Sequence, residues 1–152
     1  MLIVLSSEDN IENEGAICNE LFRCGLPLLH LRKPKVNKNN FRNLLLSIDH
    51  QYHPKITIHQ YHDLKGEFNI GGIHYTENHR ISRAENLDLE LKIIQKEGLR
   101  TSTSIHSKDS LGSPVFDYYF FSPVFDSISK KKYAVESYKN RNVPIVFELK
   151  IS

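Results

Sequence analysis

The feature that most constrains this chain is a repeated switch between two hydrophobic periods. Short apolar runs of strand length alternate with segments whose apolar residues recur at helical spacing, from the first residues to the last. Leu2–Leu5 reads as a strand. Asp9 or Asn10 can then cap a helix through Cys24, with Ile17, Leu21 and Phe22 on one side and Gly25 as its stop. Residues 27–31 form a second strand running into Arg32-Lys33-Pro34, and Phe41, Leu44, Leu45 and Ile48 mark a helix. Ile56–Ile58 is a third strand, followed by a short helical candidate over 64–68. Gly72–Tyr75 is a fourth. A helix over 87–96 stops at Gly98, and strands follow at 99–105, 118–121 and 144–147.

Such alternation predicts a parallel sheet in the α/β class. With 152 residues and no linker or shift in composition, the expectation is a single domain over 1–152. Polar residues collect at or just after the strands: Ser6 and Ser7, His30 and Arg32, His59, His74, Ser104 and His106, Ser122. The C-terminal rim of a (β/α)8 barrel is where such residues belong, although a complete barrel needs at least about 200 residues. The expected fold is therefore a (β/α)8 TIM-barrel type that ends near its seventh strand.

Composition excludes several classes. The net charge, 20 − 18 = +2, is too small to argue for nucleic acid as the main partner. No apolar run approaches the roughly 18 residues of a membrane span, and the N-terminus lacks the basic region of a signal peptide. Cys18 and Cys24 fall on different faces of one predicted helix, as free thiols in a reduced cytosol would. These readings place the chain in the cytoplasm. Neither a Gly-x-Gly-x-x-Gly nor a Gly-x-x-x-x-Gly-Lys motif is present.

Three groups of residues could carry chemistry. Ser127, Ser129 and Lys130 offer two hydroxyls and an ammonium that can wrap a phosphate, or form a solvated basic loop. Arg32 can bind a phosphate in bidentate fashion, or close a salt bridge at the rim. His106, at the end of the fifth strand, can take and return a proton near neutral pH, or be structural. His59, His62, His74 and His79 suggest a metal, but no acidic residue pairs cleanly with them, and no metal site is assigned.

Taken in order, these segments resemble the thiamine phosphate synthase/TenI family of (β/α)8 barrels, over about Leu2 to Phe147. The most specific stretch runs from Asp117-Tyr118 through Ser122-Pro123 to Ser127-Ile128-Ser129-Lys130. It looks like the family's Asp-Tyr, Gly-Pro and Thr-x-Thr-Lys elements, with serine for glycine once and for threonine twice. Leu29-His30-Leu31-Arg32-Lys33 is similar to its second-strand motif, Gly72-Ile73-His74 to its Gly-Val-His strand, and Ser104-Ile105-His106 to its Ser-x-His strand.

The resemblance implies a small-molecule phosphate ligand held by Arg32, Ser127, Ser129 and Lys130, with His30, His59, His74 and Ser104 lining the pocket. The synthase branch joins hydroxymethylpyrimidine diphosphate to a thiazole phosphate and uses Mg²⁺. The TenI branch moves a proton on a thiazole carboxylate phosphate with a histidine after the fifth strand, the position of His106. The synthase holds Mg²⁺ with an Asn-Asp pair after the third strand and an Asp after the fourth, where this chain has His59-Gln60 and His79. Mg²⁺ wants hard oxygen ligands, so a metal-free, tautomerase-like proton transfer is the expected activity, with no cofactor. The synthase reaction and a non-catalytic phosphate binder or inactive remnant are the alternatives. The family's Gly-Gly turn and second phosphate loop have no counterpart after Phe147. The expectation is a C-terminally shortened member whose unpaired strand edges invite homo-oligomerisation.

Overall fold

A computed structural model describes residues 2–105, 116–121 and 145–147. These fall into two compact units. One holds the residues up to His74 together with Lys96–Arg100, and the other the described residues of Tyr75–Gln95 and from Thr101 onward.

The first unit is built on consecutive parallel strands. β1 (Ile3–Leu5) pairs with β2 (Leu28–Leu31), β2 with β3 (Ile56–Ile58), and β3 with β4 (Gly72–Tyr75). Helix α1 (Glu14–Arg23) connects β1 to β2, and α2 (Lys38–Leu46) leads on towards β3. Every residue of β2, β3 and β4 is buried. That is what a parallel sheet covered on both faces requires. Phe22 of α1 and Phe41 and Leu45 of α2 join Leu29, Leu31, Ile56, Ile58 and Ile73 in the core.

Local chemistry sets the ends of these elements. Gly25 takes a left-handed conformation (φ 94°) after α1, and the amides of Gly25 and Leu26 donate to the carbonyls of Phe22 and Leu21. This is the six-to-one and five-to-two closure that only glycine adopts without strain. Asn37 caps α2, its side chain accepting from the Asn40 amide at 2.9 Å. Helix α1 begins at Glu14, later than its acidic lead-in predicts, because that lead-in is engaged by Lys33. The Lys33 ammonium donates to the Asp9 carbonyl at 2.7 Å and pairs with the Glu14 carboxylate at 2.7 Å.

In the second unit, β5 (Arg100–Ile105) pairs with β6 (Tyr118–Phe121), and β6 with β7 (Ile145–Phe147), again in parallel. Asp117 fastens the start of β5: its carboxylate accepts from the amide and the hydroxyl of Thr101, and its own amide donates back to Thr101. The Asp of the Asp-Tyr motif is thus a structural clasp. Helix α3 (Glu77–Ser82) was not legible as a helix, since none of its residues is buried. It is capped by Thr76. Helix α4 (Leu87–Lys96) buries Leu87, Leu91 and Ile94. The candidate over 64–68 is a 3₁₀ turn, His62–Gly66, and a second one spans His50–Lys55.

Among the described residues, no helix is long and apolar enough to cross a membrane.

Candidate functional site

Strand register in the first unit brings three histidines together. His30 lies opposite Thr57 on β3, and Thr57 opposite Gly72 on β4. Side chains alternate along a strand, so residues two apart share a face. His59 and His74, each two residues beyond those partners, therefore stand on the same face as His30. His30 is the one large side chain of the three at its level. A Cβ on Gly72 would fall 2.6 Å from the Thr57 hydroxyl, so the glycine of the Gly-Ile-His motif is required by strand packing.

The three imidazoles meet above that level. His30 Nδ1 lies 2.9 Å from His59 Nε2, one ring donating and the other accepting. The rings of His59 and His74 stack with centroids 3.9 Å apart, and His30 meets both edge-on at 5.1 and 5.8 Å. One ring nitrogen of each lies within 4.8 Å of one from each of the others. All three are buried. Burial, with Arg100 adding to it, lowers the His30 pKa from 6.5 to about 3. Burial also pushes His59 well below its ordinary value, assisted by His74, His30, Arg32 and His62. A charged imidazole here would lose its hydration, so the neutral form is favoured.

The surrounding residues are committed elsewhere. The Arg32 guanidinium pairs with Glu8, and its amide donates to the Ser6 hydroxyl at 2.9 Å. Gln60 spans the Lys33 backbone: its amide nitrogen donates to the Lys33 carbonyl and its oxygen accepts from the Lys33 amide. His62 donates through Nε2 to the His74 carbonyl at 3.1 Å.

This arrangement tests the Mg²⁺ that the resemblance implies. At the positions after β3 the chain offers an imidazole and an amide whose oxygen already accepts a main-chain hydrogen bond, and no carboxylate. That donor set does not fit a hard cation.

Of the sequence-predicted site residues, His30, His59 and His74 come together in the first unit. Ser104 belongs to the second unit, where its carbonyl accepts from the Arg80 guanidinium at 3.2 Å. His106, Ser127, Ser129 and Lys130 lie outside the described residues. The residue pattern singles out His59, His62, His74 and His79 without His30, whereas the family resemblance places His30, His59 and His74 in one pocket. The true grouping, His30–His59–His74, depends on the register between strands.

No protein-family model matches the chain, and no curated protein does. Among solved structures, the chain is similar to the crystal structure of a thiamine phosphate pyrophosphorylase from Bacteroides thetaiotaomicron. The two share 29% identity with a TM-score of 0.62, over 81% of this chain and 58% of that one. The chain thus spans less than two thirds of that structure's length. The likeness supports an α/β fold of the TIM-barrel type, resembling thiamine phosphate synthase.

Proposed function

We propose that this chain is a thiamine-biosynthesis protein of the thiamine phosphate synthase/TenI family that acts on a thiazole phosphate by tautomerase-like proton transfer. The observation that carries this reading is the likeness to a thiamine phosphate pyrophosphorylase, 29% identical over 81% of the chain. The donor set favours proton transfer over the synthase reaction. Departure of diphosphate calls for a cation to neutralise the developing charge, and His59 and Gln60 stand where the family places Asn and Asp. Isomerisation of a thiazole carboxylate phosphate removes a proton from one carbon of the substrate and returns one to another, so it balances without a co-reactant. In this reading His106 takes and returns that proton, while Ser127, Ser129 and Lys130 hold the phosphate, joined by Arg32 when its guanidinium exchanges Glu8 for the phosphate.

The test is turnover of the thiazole carboxylate phosphate tautomer, followed by NMR. The expected result is isomerisation by the wild-type chain and none by His106→Asn, with thiazole phosphate binding retained. Unchanged turnover in that variant rejects the role of His106. Thiamine phosphate formed from the pyrimidine diphosphate and thiazole phosphate, dependent on added Mg²⁺, would establish the synthase reading instead. Binding without either reaction would leave a phosphate-ligand binder.

A further inference from the structure

From the juxtaposition of His30, His59 and His74, we infer that the first unit binds a borderline divalent cation, of which Zn²⁺ is the type, through three imidazoles. The inference stands on the geometry of these side chains and is independent of the reaction proposed above.

Three features carry it. The first is distance. In a tetrahedral site with metal–nitrogen bonds of about 2.0–2.1 Å, ligand nitrogens lie roughly 3.3–3.4 Å apart. One ring nitrogen from each histidine already lies within 4.8 Å of the others, and the His30–His59 pair stands at 2.9 Å.

The second feature is chemistry. Imidazole suits zinc, cobalt, nickel and copper, whereas Mg²⁺ prefers oxygen. The set has no carboxylate, so it selects against the cation expected from the family resemblance.

The third is the floor of the site. Thr57, on the same face and level with His30, has a buried hydroxyl that makes no hydrogen bond among the described residues. Three protein ligands leave a fourth position for water or an anionic oxygen. A polar hydroxyl on the face that carries the ligands suits such an oxygen better than an aliphatic floor would. Of the cations near the site, Arg32 is paired with Glu8 and Lys33 with Glu14, which reduces their repulsion of a bound metal; Arg100 is the positive neighbour of His30 that a bound metal must tolerate.

The experiment uses the full chain treated with chelator and dialysed. Zn²⁺ is titrated by calorimetry and Co²⁺ by visible absorption. The expected result is one equivalent of either metal, with Co²⁺ giving the intense bands of a low-coordinate site that Zn²⁺ displaces. His30→Gln, His59→Gln and His74→Gln should each weaken Zn²⁺ binding by more than the roughly 10–100-fold that loss of an outer-shell partner costs. His50→Gln, at an exposed position, should leave it unchanged. Absence of stoichiometric uptake by the folded wild type overturns the inference, as does uptake that survives all three substitutions. Should a variant fail to fold, ring-nitrogen NMR of the wild type decides. Zn²⁺ must shift three of the eight histidines, and a spectrum in which no buried histidine moves refutes the site. Thiazole turnover is not part of the readout, so failure of the activity proposal leaves this result intact.

Discussion

Removing the Glu14 carboxylate exposes how much the first unit depends on one interior charge pair. The Lys33 side chain is 1% exposed and that of Glu14 9%, and their charged atoms lie 2.7 Å apart. The ammonium also donates to the Asp9 carbonyl. Glu14→Gln keeps the shape and removes the countercharge, leaving a buried cation. Breaking a buried pair on one side costs about 3–5 kcal/mol. The pair borders a hollow of about 570 Å³ that Asn10, Asn13 and Asn40 also line. Water entering from that side would partly solvate Lys33, so the lower end, about 3 kcal/mol, is expected. For a chain of this length each kcal/mol lowers the melting temperature by about 2–4 °C, giving a fall of about 6–12 °C. The assay is urea and thermal denaturation of wild type, Glu14→Gln, and the closed set Glu14→Leu, Lys33→Met and Glu14→Leu/Lys33→Met. Replacing both partners by apolar groups removes the stranded charge, so the double variant should be clearly more stable than the sum of the single losses implies. Lys35→Met, which breaks a pair with Asp9 whose side chains are 73% and 78% exposed, should change stability by less than about 1 kcal/mol. The reasoning fails if Glu14→Gln matches wild type, or if the double variant loses as much as the two singles added together.

Other outcomes follow from the same structure. Gly72→Ala would place a Cβ 2.6 Å from the Thr57 hydroxyl and 3.1 Å from the Arg100 carbonyl. A loss of about 1–3 kcal/mol is expected from overpacking, and Thr57→Ala should recover part of it in denaturant melts; no recovery would reject Thr57 as the obstacle. In chelator-treated protein, stability should fall as the pH drops from 7 to 5. His30 titrates near 6.5 when unfolded and near 3 when folded, so the unfolded chain binds the extra proton in that window. The contribution is fully present above 6.5 and is lost towards 3, about 2 kcal/mol of it between pH 7 and 5. His30→Gln should flatten that slope, and an unaltered slope would refute the assignment. Asn37→Ala should cost about 1 kcal/mol through the lost cap on α2; an unchanged urea midpoint would show that the cap contributes nothing.

Much of the secondary structure was legible because it obeys hydrophobic period and capping chemistry. Helix α4 and strands β3, β4 and β6 match the residues that the apolar pattern marks, and Gly25 ends α1 as its left-handed conformation requires. The start of α1 was not legible. Asp9 and Asn10 look like caps, but a long-range partner, Lys33, claims the Asp9 carbonyl and the Glu14 side chain. Helix α3 was missed because its six residues bury nothing and so carry no periodic signal. The histidine cluster was half visible: the residues were singled out, but their grouping rests on which residue of β2 lies opposite which residue of β3. No local pattern states that register. Gln60 looked like a weakened ligand, and its use as a main-chain clasp depends on where β2 ends.

That clasp has a consequence for how this chain can change. The carboxamide of Gln60 imitates a peptide group, offering one donor and one acceptor to Lys33, and so prolongs the ladder between β2 and β3 past the last paired residues. Aspartate at this position would supply the oxygen that a hard cation wants, but it is shorter and has no donor for the Lys33 carbonyl. Replacing Gln60 by aspartate to admit a hard cation would therefore unfasten the ends of the two strands that lead into Arg32 and His59. An oxygen ligand for a hard cation and the fastening of this rim compete for one position.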